Sequence, residues 1–193
     1  MATRCKGITR GLNKAFKGLN TKPKSRKHAA WRKRARVKGS AVDKDIERVV
    51  NNGEPDSTCC ADAKALLDYI REKRWKPVAA QYYVRHPTKK SHTWIDLLCQ
   101  ERTGPKRWVV VEIKTRAVSV KHHKTTYSQY LDRYHQTSSI GTPNTRQHRD
   151  MIQALRGRSL FIANRKVSPD KVEAVVLVVC KGQVFSYVPS RTK

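Results

Sequence analysis

The segment Trp94-Ile95-Asp96-Leu97-Leu98-Cys99-Gln100-Glu101-Arg102-Thr103-Gly104-Pro105-Lys106-Arg107-Trp108-Val109-Val110-Val111-Glu112-Ile113-Lys114 constrains the chain more than any other. Two apolar, β-prone runs flank Thr103-Gly104-Pro105-Lys106, and Gly and Pro permit the tight reversal of a β-hairpin. A turn centred on Gly104 predicts a register in which Asp96 opposes Glu112 and Lys114 opposes Trp94. Directly opposed residues, and residues two apart on one strand, share a face of the sheet. Asp96, Glu112 and Lys114 are therefore expected to converge, while Ile95, Leu97, Val111 and Ile113 point the other way into a core. A slip of one residue would move all of them.

Opposed carboxylates repel unless something positive lies between them. A hard divalent cation fits: Mg²⁺ is usually held by one or two carboxylates plus waters and substrate phosphates, with Mn²⁺ able to substitute. Asp96 and Glu112 supply the carboxylates and the Ile113 carbonyl a further ligand. Lys114 beside that ion can orient or deprotonate an attacking water and steady the charge of a phosphorane. The chemistry this points to is metal-assisted hydrolysis of a phosphodiester.

Charge supports a polyanionic partner. The chain has 193 residues, with 42 Lys+Arg against 15 Asp+Glu, a formal charge of +27. Such a balance points to nucleic acid or an anionic membrane surface. The longest apolar run, Ala174 to Cys180, is far too short to span a bilayer. The polar N-terminus is unlike a secretory signal, so an intracellular protein is expected. Five scattered cysteines suit reduced thiols and show no zinc spacing.

Residues 1–38 hold fourteen Lys or Arg and no acid. They are expected to form a disordered basic arm, because they cannot bury enough apolar surface to offset ordering entropy. Within it Lys22-Pro23-Lys24-Ser25-Arg26-Lys27 and Arg32-Lys33-Arg34-Ala35-Arg36 read as a phosphate-binding or nuclear-import segment. The domain proper is expected over 39–193. Ser40 and Asp43 make a capping box for a helix whose stripe is Val42, Ile46, Val49 and Val50, ended by Gly53 and Pro55. A second helix spans about Ser57 to Arg74 with Asp56 or Ser57 as cap. A strand follows from Pro77 to Val84.

Beyond the hairpin, Tyr127, Tyr130, Leu131 and Tyr134 share a helical face that either packs or stacks bases. Thr142-Pro143 opens another helix, with Met151, Ile152 and Leu155 as its apolar face. Val172 to Cys180 and Gln183 to Val188, joined at Lys181-Gly182, form a closing hairpin with a strand buried on both faces. Helix, helix, strand, hairpin, helix, hairpin predicts an α/β fold, a mixed sheet of about five strands flanked by helices.

The stretch Ile95-Asp96, a returning hairpin, and Val110-Val111-Glu112-Ile113-Lys114 resembles the Asp and Glu-x-Lys core of the PD-(D/E)XK nuclease superfamily, with Ile95 where many members carry Pro. The resemblance covers Ser40 to Val188. It implies a restriction-endonuclease-like core and a Mg²⁺-dependent nuclease acting on DNA, with Asp96, Glu112 and Lys114 catalytic. It also implies that Glu47, on the first helix, reaches the metal. Gln147 resembles the Gln element that follows Glu-x-Lys in recombination-type exonucleases, with Gln153 as the competing assignment. Within the superfamily the chain is similar to viral nucleases and to the basic nuclear PD-(D/E)XK proteins of herpesviruses, implying a nuclear or cytoplasmic role in processing viral or mobile-element DNA. The alternative is a nucleic-acid-binding protein on the same fold that performs no chemistry.

Overall fold

A computed structural model of the chain describes residues 26–116 and 146–189. Among these residues five strands form one mixed sheet in the order β1-β2-β3-β4-β5. They are β1 (Trp75–Arg85), β2 (His92–Glu101), β3 (Trp108–Thr115), β4 (Val172–Cys180) and β5 (Gln183–Tyr187). Only β3 and β4 pair in parallel; the other neighbours are antiparallel. Among the described residues three α-helices flank the sheet: α1 (Arg26–Asn52), α2 (Ala61–Glu72) and α3 (Arg146–Arg165). None of the described helices is long and apolar enough to cross a membrane.

The helices divide the core into two layers. On one face α1 and α2 lay Val42, Ile46, Leu66 and Ile70 over Leu97, Cys99, Val109, Val111 and Ile113. On the other, α3 covers Leu98 and Val110 with Leu160 and Phe161, and Val176 and Val178 with Ala154. The alternation along β3 thus sends odd-numbered residues to one layer and even-numbered residues to the other. β4, between two partners, is buried on both faces as its apolar run implied. At Lys181-Gly182 both residues have positive φ, 50° and 74°, the conformation of a two-residue primed turn.

The first helix departs from expectation. It runs without a break from Arg26 through Ser40, so Ser40 and Asp43 lie in its interior and cap nothing. The expected boundary between arm and domain, at residues 38 and 39, falls inside this helix. The Lys38 ammonium binds Asp62 at 2.6 Å, and Asp62 also accepts the Gly182 N–H at 2.7 Å, fastening α1 and α2 to the β4–β5 turn. Gly53, at φ 71°, terminates α1 as anticipated. Neither Asp56 nor Ser57 caps α2: its first residue follows Cys60, whose N–H is accepted at 2.8 Å by Asp45 from α1. A carboxylate from a neighbouring helix has taken the place of a local cap. The tyrosine stripe at 127–134 lies outside the described residues.

Candidate active site

The hairpin has the predicted register. Leu97 pairs with Val111, Leu98 with Val110 and Cys99 with Val109, about a turn in which Gly104 has φ 79°. Carried on by one residue, this register sets Asp96 opposite Glu112. There the β2–β3 ladder ends, and the Asp96 carboxylate accepts the Ile113 N–H at 2.9 Å. A side chain thus satisfies a backbone donor at the point where the strands part.

Beyond that point the outer hairpin turns over, and two expectations fail: the β2–β3 pairing does not extend to Trp94 and Lys114, and Ile95 changes layer. Ile95 does not share a layer with Leu97, Val111 and Ile113; it lies with Leu98 and Val110 under α3. Gln81, which the β1–β2 register sets across from Asp96, has φ 51°. Positive φ at a non-glycine residue breaks the regular pleat, and here Ala80 faces one layer and Tyr82 the other. Asp96 therefore stands at a bend that opens β2 away from β3.

Glu112 lies on the α3 side of β3 and is 4% exposed. Lys114, two residues on and on the same face, makes an ion pair with it. Burial and then the neighbouring Asp96 charge push the Glu112 carboxyl up to about 8, with Lys114 pulling the other way. For Lys114, burial works against the ammonium, but Glu112, Asp150 and Asp96 outweigh it and hold the group above its ordinary value.

Asp150, in α3, belongs to none of the sequence patterns above. It is 5% exposed, binds the Arg116 guanidinium at 2.5 Å, and acts electrostatically on both Glu112 and Lys114. Three carboxyls against the Lys114 and Arg116 cations make this a site short of positive charge. Arg116 is set by its backbone N–H, which donates to the Val179 carbonyl at 2.9 Å and prolongs the β3–β4 pairing. The sequence does hold a signal for Asp150: Asp150, Ala154, Gly157 and Phe161 recur at helical spacing and are all buried. The expected face of Met151, Ile152 and Leu155 is only half-buried. Up to Gly157, small residues and not the larger apolar ones mark the contact, because α3 lies close to the sheet there; Leu160 and Phe161 take over beyond it. A Cβ on Gly157 would sit 3.5 Å from Val110 and 3.8 Å from Ile95.

Glu47 does not join the group. Ile46 turns into the core, leaving Glu47 exposed among Lys44, Asp45 and Arg48 on a helix that covers the opposite face of the sheet. Gln147 falls in the first turn of α3, but its side chain lies outside the described residues; Gln153 is half-buried on the same helix. Among the described residues no group of three or more His, Cys, Asp or Glu side chains could hold a metal. The donor set brought together is thus Asp96 and Glu112 with the Ile113 main chain. Two carboxylate donors leaving most positions to water and phosphate match the coordination habit of Mg²⁺. No protein-family model matches the chain, and no curated protein matches it in sequence.

Proposed function

We propose that the protein is a Mg²⁺-dependent nuclease that hydrolyses phosphodiester bonds of DNA, as the PD-(D/E)XK resemblance implied. The observation that carries this reading is the meeting of Asp96, Glu112 and Lys114 at a bend in the sheet of a +27 chain. A protein that only neutralised phosphates would have no use for a buried carboxyl, Glu112, set against a second, half-buried one, Asp96.

Asp96 and Glu112 would hold the ion, assisted by the Ile113 carbonyl. When bound, it supplies Lewis-acid polarisation of the phosphoryl group and a more acidic water. Glu112 must lose its proton to serve as a ligand, and a bound cation would then share with Lys114 the balancing of its charge. Lys114 remains an ammonium at neutral pH, so it acts as a donor that orients the water and stabilises charge on the non-bridging oxygens, not as the base. The Arg116–Asp150 pair borders the group, and the Asp150 charge helps to hold Lys114 as an ammonium. Water oxygen bonds to phosphorus as the phosphorus–oxygen bond to one sugar breaks, leaving a phosphate monoester and a hydroxyl.

The test is cleavage of linear duplex, circular duplex and single-stranded DNA with Mg²⁺ or Mn²⁺ at one fixed salt concentration. Metal-dependent cutting by the native chain that disappears in Glu112→Ala and Lys114→Ala is expected. Binding without cutting on every substrate, RNA included, would transfer the function to the non-catalytic alternative.

A further inference from the structure

The outer half of the β1–β2 hairpin carries features that the carboxylate site does not use. Its turn and the outer side of α3 enclose a cavity of about 390 Å³, lined by His86, Lys89, Lys90, His92, Arg156 and Ser159 among others, with no acidic side chain. The turn is held in shape from within. His86 accepts the N–H groups of Thr88 and Lys89 on its Nδ1, at 3.2 and 3.1 Å. An imidazole that accepts at Nδ1 carries its proton on Nε2 when neutral and remains a donor there.

Beside this basic cavity lies an aromatic ladder. Tyr83 pairs with Trp94 across the strands, with ring centroids 5.2 Å apart, and its ring is 5.9 Å from His92. Tyr83 is 45% exposed, although its neighbours Tyr82 and Val84 pack under α3. The bend at Gln81 and Asp96 creates this arrangement, since it turns Tyr82, Val84 and Ile95 toward α3 and leaves Tyr83 on the outside. His92 belongs to both features, lining the cavity and touching Tyr83.

We propose that this hairpin is a subsite for a single-stranded nucleic acid: a backbone phosphate enters the cavity and an unpaired base stacks on Tyr83. Exposed aromatic rings flanked by cations are the arrangement that binds single strands with little sequence preference, because every base has a π-face. A stacked duplex offers no free base face, so the ladder selects for an open strand or a frayed end. The cavity, like Glu112, lies on the α3 side of the sheet, so the phosphate, and not the base stacked on Tyr83, is on the face of the carboxylates. His92 and Asp96 lie on one strand, four residues and about 13 Å apart, a span of a few nucleotides. This deepens the nuclease reading by naming its substrate as a single strand or an end that opens, and it rests on that reading only for what happens after binding.

The experiment measures binding of fluorescein-labelled oligo(dT) and of a matched duplex to the full chain in EDTA, across a salt series. Variants are Tyr83→Ala, Tyr83→Phe and Lys89→Ala/Lys90→Ala. Lys106→Ala/Lys171→Ala is a charge-matched control at the opposite end of the sheet. Tyr83→Ala is expected to weaken oligo(dT) binding about fivefold or more, with an unchanged salt slope, little effect on the duplex, and restoration by Tyr83→Phe. The Lys89/Lys90 pair is expected to reduce the slope of log K against log salt by up to about 1.4, roughly 0.7 for each phosphate of a single strand that is no longer neutralised. The control pair should change the slope less. The proposal is overturned if Tyr83→Ala leaves oligo(dT) binding unaltered, if single strand and duplex weaken alike, or if the control matches the Lys89/Lys90 pair. Because no metal is present, the two readings fail separately. Tyr83-dependent binding without cleavage removes only the nuclease, and cleavage with Tyr83-independent binding removes only this subsite.

Discussion

Glu112 couples the protein to pH because a buried carboxyl beside another carboxylate must be ionised before it can bind a cation. Its folded-state value of about 8 lies above the ordinary 4.5. The metal-free fold therefore holds this proton more tightly than the unfolded chain does. The associated stability is complete below about pH 4.5 and is lost as pH rises toward about 8. Thermal unfolding of metal-free protein should show a falling melting temperature over that window, and Glu112→Gln should flatten the fall. The same proton must leave when Mg²⁺ binds, so affinity should rise with pH and level off above about 8. Calorimetric titrations in two buffers of different ionisation enthalpy will count the proton, and a count of zero at pH 7 would contradict the assignment of Glu112 as a ligand. Lys114→Ala should reduce cleavage by about a hundredfold or more, the scale of removing one transition-state donor. Its effect on stability should be small at pH 6, where Glu112 can remain protonated, and larger above pH 8, where an unpaired buried carboxylate results. Unfolding at pH 6 would instead make Lys114 a structural residue.

At the scale of elements, α3 decides the geometry by how closely it approaches the sheet. Gly157 faces Val110 and Ile95 with room for one methyl group and no more. Gly157→Ala should stabilise the protein by about 0.5–1 kcal/mol through helix propensity. Gly157→Leu should destabilise it by about 1–3 kcal/mol through overpacking, and by lifting α3 it should displace Asp150 and lower cleavage as well. Denaturant melts paired with a nuclease assay distinguish these two outcomes. The same close approach separates what is legible in the sequence from what is not. The period-two alternation of the hairpin and the Gly104 turn place Asp96, Glu112 and Lys114 together without any tertiary information, because the pairing is local. Alternation misplaces Ile95 because it assumes an unbroken pleat, and the bend at Gln81 depends on the outer hairpin packing over α3. Asp150 escapes a hydrophobic pattern for a related reason: where the helix meets the sheet through Ala154 and Gly157, the buried stripe does not coincide with Met151, Ile152 and Leu155. The Asp45 cap of α2 and the failure of Glu47 to reach the site likewise depend on how α1 lies across the sheet, which no local pattern specifies.

At the scale of the whole molecule, the basic first half of α1 leads up to this site. α1 is 27 residues and about 40 Å long, yet Val42 is the first of its described side chains to be buried. Gly39 lies against Thr115, where a Cβ would come within 3.0 Å of the threonine Oγ1, next to Lys114 in sequence. The preceding Arg26–Lys38 part of the helix, with seven Lys or Arg and no acid, therefore leaves the sandwich near the edge that carries the carboxylates. Under the proposed function, a basic helix held there by Lys38 and Asp62 can lie along the backbone of a duplex beside the site. Lys33, Arg34 and Arg36 are exposed on it, so each of Lys33→Ala, Arg34→Ala and Arg36→Ala should leave stability within about 0.5 kcal/mol. The triple substitution should reduce the slope of log K against log salt for duplex DNA by up to about 2.7, roughly 0.9 for each duplex phosphate that is no longer neutralised. At saturating substrate the cleavage rate should not change, because these cations position the backbone and touch no reacting atom. An unchanged slope would mean that this half of α1 is a solvated face, and that the DNA is gripped by the sandwich itself.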